Sequence, residues 1–297
     1  MTAIRMANAA ELTTTTASLL GHEVSFESND LIVLEHVRSL VHEYRGHLAS
    51  GSAALLVRIM VSADAALPQR GDIRHISHDD GSLTIEGADV AGMVDPARRE
   101  SIAEVSRDVL EEPDQFRTAV LEPLALALIS HFDRHPVHAA AIVHQGVALL
   151  LAGPGGAGKS TIAFAASRAG YHVLGDDVAR VQLEPALRVW GGPARVRLRA
   201  QSKLKNVIPL NSDGPAYADK VAVCILGRAA AARIDAMDPL TLRRHLDSQL
   251  APGFDRFPER HIAVMNALTV NGGYHLDLSA NPADALPLIA TMFERLK

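Results

Sequence analysis

The sequence predicts an α/β domain at residues 131–297, preceded by an α+β region at residues 1–130. The first prediction rests on a glycine-rich loop, "GPGGAGKS", that lies between an apolar strand, "VALLLAG", and a helical segment. A further strand, "YHVLG", follows that helix, and this order of elements is typical of phosphate-binding α/β cores. The α+β prediction rests on strand patterns mixed with helical spacing before Pro136, where the character of the chain changes.

Periodicity and turn residues predict the elements of the N-terminal region. The first twenty residues show no such pattern, and we expect them to be loosely ordered. Asp80-Gly81 separates two alternating runs within residues 73–87, which is the strongest short signal for a hairpin. We expect antiparallel strands, with a strand at 22–29, a helix at 30–48, a buried strand at 53–63, the hairpin, a strand at 89–96 and a helical stretch or helix pair at 98–134.

The C-terminal region is expected to begin where Pro136 ends that helical stretch. Gln145-Gly146 then joins two apolar strands as a hairpin, and Gly170 ends the helix after the glycine-rich loop. The expected strands lie at 137–144, 147–153, 171–175, 178–182, 187–190, 194–199 and 221–226, and the expected helices at 160–169, 239–250, 259–269 and 282–296.

Composition excludes several classes of partner. The formal net charge of −5 argues against nucleic acid, because domains that bind it are usually basic. No apolar run approaches the about 18 residues that cross a bilayer, and the N-terminus lacks the apolar segment of a secretion signal. Cys224 is the only cysteine, so no internal disulfide can form. These observations predict a cytoplasmic protein with no membrane or nucleic-acid partner.

The glycine-rich loop satisfies the pattern G-x-x-x-x-G-K-[ST]. Glycines allow backbone N–H groups to converge on phosphate oxygens, and the following helix directs its positive end at them. Lys159 is expected to reach the β- and γ-phosphates of ATP, and the Ser160 hydroxyl to bind Mg²⁺. The predicted nucleotide-binding residues are Gly153, Gly155, Gly156, Ala157, Gly158, Lys159, Ser160 and Thr161.

Two adjacent acids, Asp176 and Asp177, follow the strand after the loop helix, unusually close to the loop. One carboxylate is needed to hold Mg²⁺ through Ser160 or water, which leaves the other for a second role. A carboxylate beside the γ-phosphate can take the proton of an attacking hydroxyl, which is the requirement of a kinase. An ordinary turn is the alternative interpretation, because Asp is common in turns.

Four histidines precede the loop in the sequence, at positions 131, 135, 138 and 144. His138 is on the strand that pairs with the loop's own strand, so hairpin geometry can bring it near the loop and the acids. A neutral imidazole there can tune the base or contact a phosphate. An ordinary strand histidine is the alternative. The spacing of His131, His135 and His144 fits no zinc site, and we expect surface or turn positions for them.

Three arginines alternate after Gly191-Gly192-Pro193. Arg195, Arg197 and Arg199 share one face if this segment is a strand. Guanidinium groups bind the planar oxygens of phosphates and carboxylates, which predicts a substrate-binding face. A solvated edge strand, with charges that prevent association, is the alternative interpretation.

The segment from His138 to Val181 resembles the catalytic core of the HPr kinase/phosphorylase family. That family shows H-x₁₄-G-x₄-GKS and then an apolar strand that ends in a double Asp, and this segment follows the pattern without gaps. The resemblance implies the fold shared with phosphoenolpyruvate carboxykinase and ATP-dependent phosphorylation of a serine-type hydroxyl. It implies Asp176 as the base, Asp177 with Ser160 around Mg²⁺, and His138 nearby, and the roles of the two acids can be exchanged.

Two departures narrow what the resemblance implies. Thr161 stands where HPr kinases usually have Glu, and their later E-I-R-G signature is absent. Relatives of this core include kinases of ribosomally made peptides, among them lasso-peptide precursors. The expected acceptor is a hydroxyl, in the first place a serine, of a peptide, protein or small metabolite, and residues 1–130 hold it or build a homo-oligomer. A nucleotide-dependent switch and a carboxykinase-like enzyme are the alternatives.

Overall fold

The protein folds as two compact units in a computed structural model. One unit comprises Met1–His42 with Gly46–Phe132, and the other comprises Glu43–Arg45 with Asp133–Lys297. Helices and several sheets, some of them mixed, confirm the predicted mixed α/β class. None of the described helices is both long and apolar enough to cross a bilayer. The structure describes residues 11–51, 53–62, 72–199, 205–248 and 257–296.

The described strands of the first unit form one sheet. Its described strands are β1 Thr13–Leu19, β2 His22–Ser28, β3 His47–Ala49, β4 Leu55–Ser62, β5 Arg74–Ser77, β6 Leu83–Glu86, β7 Val90–Asp95 and β8 Glu100–Ser106. Its described helices are α1 Leu31–Glu43, α2 Arg107–Leu110, α3 Pro113–Phe116 and α4 Glu122–Ser130, with a π-helical turn at Arg117–Leu121. The strand order is β3-β1-β2-β4-β8-β7-β6-β5, and β4 pairs in parallel with both β2 and β8.

Four expectations for this unit are wrong. Within the first twenty residues, the described part is ordered from Thr13, because β1 buries Ala17 and Leu19 and pairs with both β2 and β3, while residues 1–10 lie outside the described ranges. The segment expected to open a helix at 98 is β8, whose alternate residues Ser101, Ala103 and Val105 are buried. The helix expected at 30–48 ends at Glu43 and is followed by β3. The expectation of antiparallel strands also fails at the two parallel pairs of β4.

The described strands of the second unit form three sheets, and four helices are described in it. Its described strands are β9 His135–Val137, β10 Ala140–His144, β11 Val147–Ala152, β12 His172–Gly175, β13 Ala179–Gln182, β14 Arg188–Trp190, β15 Arg195–Arg199, β16 Lys205–Pro209, β17 Tyr217–Ala218, β18 Lys220–Arg228, β19 Arg233–Met237 and β20 Gly273–Leu278. Its described helices are α5 Lys159–Arg168, α6 Pro239–Asp247, α7 Pro258–Thr269 and α8 Leu286–Leu296, with a 3₁₀ turn at Pro282–Ala285.

A six-stranded sheet of order β12-β10-β11-β18-β20-β19 forms the centre of this unit. Its strands β11, β18 and β20 are parallel, and apolar side chains cover both of its faces. One face packs against α5 and α8 through residues such as Ile162 and Phe293. The opposite face packs against α6 and α7 through residues such as Leu242 and Val264. Burial on both faces explains why β11 reads as a continuous apolar run.

Smaller sheets surround the central one. A four-stranded sheet has the order β17-β14-β13-β9, and β15 pairs with β16 in a two-stranded hairpin. Pro136 therefore lies inside strand β9 and does not end a helix, and the single strand expected at 137–144 is two strands in different sheets. The expected turn at Gln145-Gly146 is correct, with φ angles of 50° and 79° that suit a tight hairpin. Strands β16, β17, β19 and β20 were not predicted from the sequence.

His135 is fully buried, so the expected surface or turn position is wrong for this residue. It begins β9, and its Nε2 atom lies 3.0 Å from Nδ1 of His261 on α7. Burial, together with smaller effects of the neighbouring charges of His261 and Arg260, lowers the pKa of His135 from 6.5 to about 4. The folded protein therefore keeps this imidazole neutral at pH values where the unfolded chain protonates it.

We expect the free energy of unfolding to fall as the pH is lowered from 6.5 towards 4, because only the unfolded chain then gains a proton at His135. The full effect of this residue is about 3 kcal/mol. Urea unfolding of the wild type and of His135→Gln, measured across this pH range, checks the expectation. The variant should show a shallower dependence, and equal slopes in the two proteins would contradict the assignment to His135.

Candidate phosphate-binding site

The glycine-rich loop joins the end of β11 to the start of α5 in a closed turn. Gly156 and Gly158 have φ angles of 88° and 111°, which side-chain-bearing residues rarely adopt. Gly158 is also crowded, since a Cβ added there would lie 2.8 Å from Cδ1 of Leu278. The Ala157 N–H donates to the Pro154 carbonyl at 3.0 Å, which closes the turn. Left-handed residues in such a loop direct backbone N–H groups towards one point, where an anion can bind.

The first turn of α5 offers unsatisfied donors beside this loop. Its N-cap residue, Gly158, supplies no side-chain hydrogen bond, and the first turn carries no acidic residue. The first N–H groups of a helix lack partners within the helix, and the helix dipole makes this end positive. The Ser160 hydroxyl has no hydrogen-bond partner among the described residues, and Thr161 is exposed. This end of α5 therefore has the properties of an anion site.

Lys159, which is predicted to bind phosphates, packs its side chain against the loop. Its side chain is buried, and its Nζ donates to the carbonyl oxygen of Gly153 at 2.6 Å and to that of Pro154 at 3.4 Å. The loop carbonyls thus hold the ammonium group at the start of α5. A phosphate bound by the loop would meet a positive charge that is already in place.

The short spacing between the loop and the acids follows from the topology of the sheet. Strand β10 lies between β11 and β12 and runs antiparallel to both, so β11 and β12 point in the same direction. Their carboxyl ends therefore lie at one edge of the sheet. The loop follows β11 and Asp176 follows β12, with one crossover helix, α5, between them. Ligands bind at this edge in open α/β sheets.

His138 and Asp177 face each other where two segments pass from the six-stranded sheet to the four-stranded sheet. His138 lies between β9 and β10, and Asp177 lies between β12 and β13. Because β9 pairs with β13 and β10 with β12, both residues occupy the same bend of one antiparallel ribbon. Nδ1 of His138 is 3.5 Å from Oδ1 of Asp177, whose side chain is 47% exposed. Half of this carboxylate is therefore open to a ligand.

Asp176 is buried and, unlike Asp177, is held by a backbone group of β15. Its Oδ2 atom accepts a hydrogen bond from the backbone N–H of Arg197 at 2.6 Å. Its Oδ1 atom has no hydrogen-bond partner among the described residues. The two acids thus differ in environment, one buried and anchored to β15 and the other half exposed beside a histidine. Different environments are what separate the roles of neighbouring carboxylates in catalytic sites.

The two arginines of β15 whose side chains the structure describes, Arg195 and Arg197, differ in environment. Arg195 is buried, and its Nη1 is 3.3 Å from Oε2 of Glu43, a contact that no local pattern in the sequence indicates. Arg197 is half-buried, and its backbone holds Asp176. The side chain of Arg199 lies outside the described part of the structure. Val196, between the two described arginines, packs in the core, and Arg197 is the one whose backbone contacts Asp176.

The oxygen atoms at this edge suit a hard divalent cation. Mg²⁺ is usually bound through one or two carboxylates together with substrate phosphates and water. The open carboxylate of Asp177 and the unpartnered hydroxyl of Ser160 are donors of that kind. Within the described residues, no three His, Cys, Asp or Glu side chains form a metal cluster on their own. The residues present therefore fit Mg²⁺ held jointly with a nucleotide.

Comparison with known proteins finds similarity in structure only. The Hpr(Ser) kinase/phosphatase from Coxiella burnetii matches with a TM-score of 0.34 and 12% sequence identity, over 54% of this chain and 96% of that chain. No family model matches the chain, and no curated protein matches it in sequence. The proposed function therefore rests on the residues of this chain.

Proposed function

We propose that this protein is an ATP-dependent kinase that transfers the γ-phosphate to a hydroxyl group, in the first place that of a serine, on a peptide, protein or small metabolite. One observation carries the proposal. A buried, anchored carboxylate, Asp176, and an open carboxylate, Asp177, lie at the same sheet edge as an uncapped glycine loop that holds Lys159. The loop accounts for nucleotide binding, and the second acid accounts for an acceptor other than water.

The transfer step assigns one task to each group. The loop N–H groups and Lys159 bind the β- and γ-phosphates and orient the γ-phosphorus. The acceptor oxygen attacks that phosphorus while Oδ1 of Asp176 takes the hydroxyl proton. The bond from the γ-phosphorus to the β–γ bridging oxygen breaks, and its electron pair leaves with ADP. The products are the phosphate ester, ADP and a protonated Asp176.

Asp177, Ser160 and His138 support that step. Asp177 and Ser160 would hold Mg²⁺, which supplies positive charge to the phosphate oxygens when bound. The imidazole of His138 contacts the carboxylate of Asp177 and would orient it. The first unit would hold the acceptor or build a homo-oligomer, and ATP and Mg²⁺ would be the cofactors.

Incubation of the protein with γ-labelled ATP, Mg²⁺ and a degenerate library of serine peptides tests the function. Label that appears as phosphoserine supports a kinase. Label that appears as inorganic phosphate alone would favour the alternative of a hydrolysing nucleotide switch. A parallel reaction with small hydroxyl compounds separates a peptide acceptor from a metabolite, and a reaction without Mg²⁺ shows whether the metal is required.

Substitutions of two arginines of β15 are expected to have different effects, one on kinetics and the other on stability. Arg197→Glu places a negative charge beside Asp176 and the acceptor, so we expect a higher acceptor KM or a lower kcat with an unchanged unfolding midpoint. Arg195→Gln removes the partner of Glu43, so we expect a loss of about 1–3 kcal/mol in the free energy of unfolding. Thermal unfolding and steady-state kinetics of both variants check this contrast. Unchanged kinetics in Arg197→Glu would remove this residue from the acceptor site.

A further inference from the structure

Arg228 lies against the glycine-rich loop, although it belongs to a different strand. It is the last residue of β18, which pairs in parallel with β11 so that Ile225 stands opposite Ala152. The strand continues for three more positions and reaches the level of the loop. A Cβ added to Gly158 would lie 3.1 Å from Nη2 of Arg228. The guanidinium group is therefore in contact distance of the glycine that precedes Lys159.

The guanidinium of Arg228 has no counter-charge of its own. The side chain is exposed, and it makes no hydrogen bond or ion pair within the described ranges. Arg233, on β19, the next strand along the chain, shows the opposite situation, with Oδ2 of Asp277 at 2.9 Å and Oδ2 of Asp235 at 3.4 Å. Among the described residues, carboxylates thus neutralise Arg233, whereas none pairs with Arg228 at the loop.

Three positive centres lie along the loop, namely the ammonium of Lys159 at the Gly153 carbonyl, the guanidinium of Arg228 beside Gly158 and the amino end of α5. Like charges at short range repel one another, and a polyanion removes that repulsion. A guanidinium presents paired N–H groups that match phosphate oxygens. The loop accordingly has a second side chain, besides Lys159, that suits a phosphate chain.

The position of β18 selects the phosphates that Arg228 can reach. In the six-stranded sheet the acids follow β12, on one side of β11, and Arg228 ends β18, on the other side. The transferred phosphate must lie on the side of the acids. We propose that Arg228 binds the phosphates that remain on ADP, and so fixes the leaving group against the loop. This inference rests on the proposed function, because it presupposes a nucleotide in the loop.

Calorimetric titration of ADP and of Mg-ATP into the wild type, Arg228→Gln and Arg233→Gln tests the inference. We expect Arg228→Gln to raise the Kd of both nucleotides by a similar factor, about tenfold to a hundredfold. Arg233→Gln is the matched control, and its Kd values should equal those of the wild type. Arg228→Lys keeps the charge without the paired donors and should give intermediate values.

The remaining outcomes separate this inference from the proposed function. Wild-type affinity in Arg228→Gln, or a loss confined to ATP, overturns the assignment of Arg228 to the ADP phosphates. Lys159→Ala in the same series shows whether nucleotide binds through the loop at all. Failure of the wild type to bind either nucleotide overturns both proposals together. Circular dichroism and thermal unfolding confirm that each variant is folded, which the exposure of Arg228 leads us to expect.

Discussion

Replacing Asp176 with Asn is expected to lower phosphoryl transfer by about 10²–10⁴-fold while ATP affinity stays close to that of the wild type. The Asn side chain has the size of Asp, and its amide oxygen can still accept the hydrogen bond from the Arg197 N–H. The fold should therefore survive, while the oxygen that takes the proton is replaced by a nitrogen without basicity. Single-turnover transfer from γ-labelled ATP measures the effect, with calorimetry for affinity.

Asp177→Asn is the matched control, because it makes the same chemical change one residue further along the chain. This variant loses the charged oxygen that is open to Mg²⁺, so it should need more Mg²⁺ for the same rate. Transfer is therefore measured against Mg²⁺ concentration in both variants. If added Mg²⁺ restores Asp176→Asn but not Asp177→Asn, the base and the metal ligand exchange positions. Full transfer in both variants would show that the protein is no kinase of the proposed type.

Lys159→Ala is expected to abolish measurable transfer and to raise the Kd of ATP by about tenfold to a hundredfold. The loop carbonyls of Gly153 and Pro154 hold this ammonium group in place. Its removal therefore weakens the binding of the ATP phosphates directly. Isothermal titration with Mg-ATP and a transfer assay at saturating ATP check the two effects separately.

Lys220→Ala serves as the control for charge alone. Lys220 begins β18, at the end of the strand remote from the loop, and removing it changes the net charge by the same amount. Its nucleotide affinity should match the wild type. If Lys159→Ala binds Mg-ATP as tightly as the wild type does, the loop is not the nucleotide site.

Features set by neighbouring residues could be predicted from the sequence. The tight turn at Gln145-Gly146 and the strand–loop–helix order around Lys159 depend on local backbone preferences, and both occur where they were expected. The strand β8 was mistaken for a helix because its alternation is short and its central position in the sheet comes from distant partners. Tertiary pairing overrides such weak local patterns.

Contacts at the candidate site depend on residues far apart in the chain. The partner of Arg195 is Glu43, and the backbone donor to Asp176 comes from Arg197 on a separate hairpin, so spacing could indicate neither. One local pattern in the sequence does point to Arg228. It is the first charged residue after the apolar run "VAVCILG", at the carboxyl end of a parallel strand, where ligands of α/β sheets bind.

The bend of the ribbon that carries His138 and Asp177 restricts insertions and deletions in this part of the chain. Side chains alternate between the faces of a strand, so adding or deleting one residue between Val137 and Ala140 reverses every following position of β10. His138 would turn away from Asp177, and the buried residues of β10 would exchange the two faces of the sheet, which pack against different helices. The bend therefore tolerates exchange of side chains more readily than any change in its length, and chain length is the property that variants of this segment must preserve.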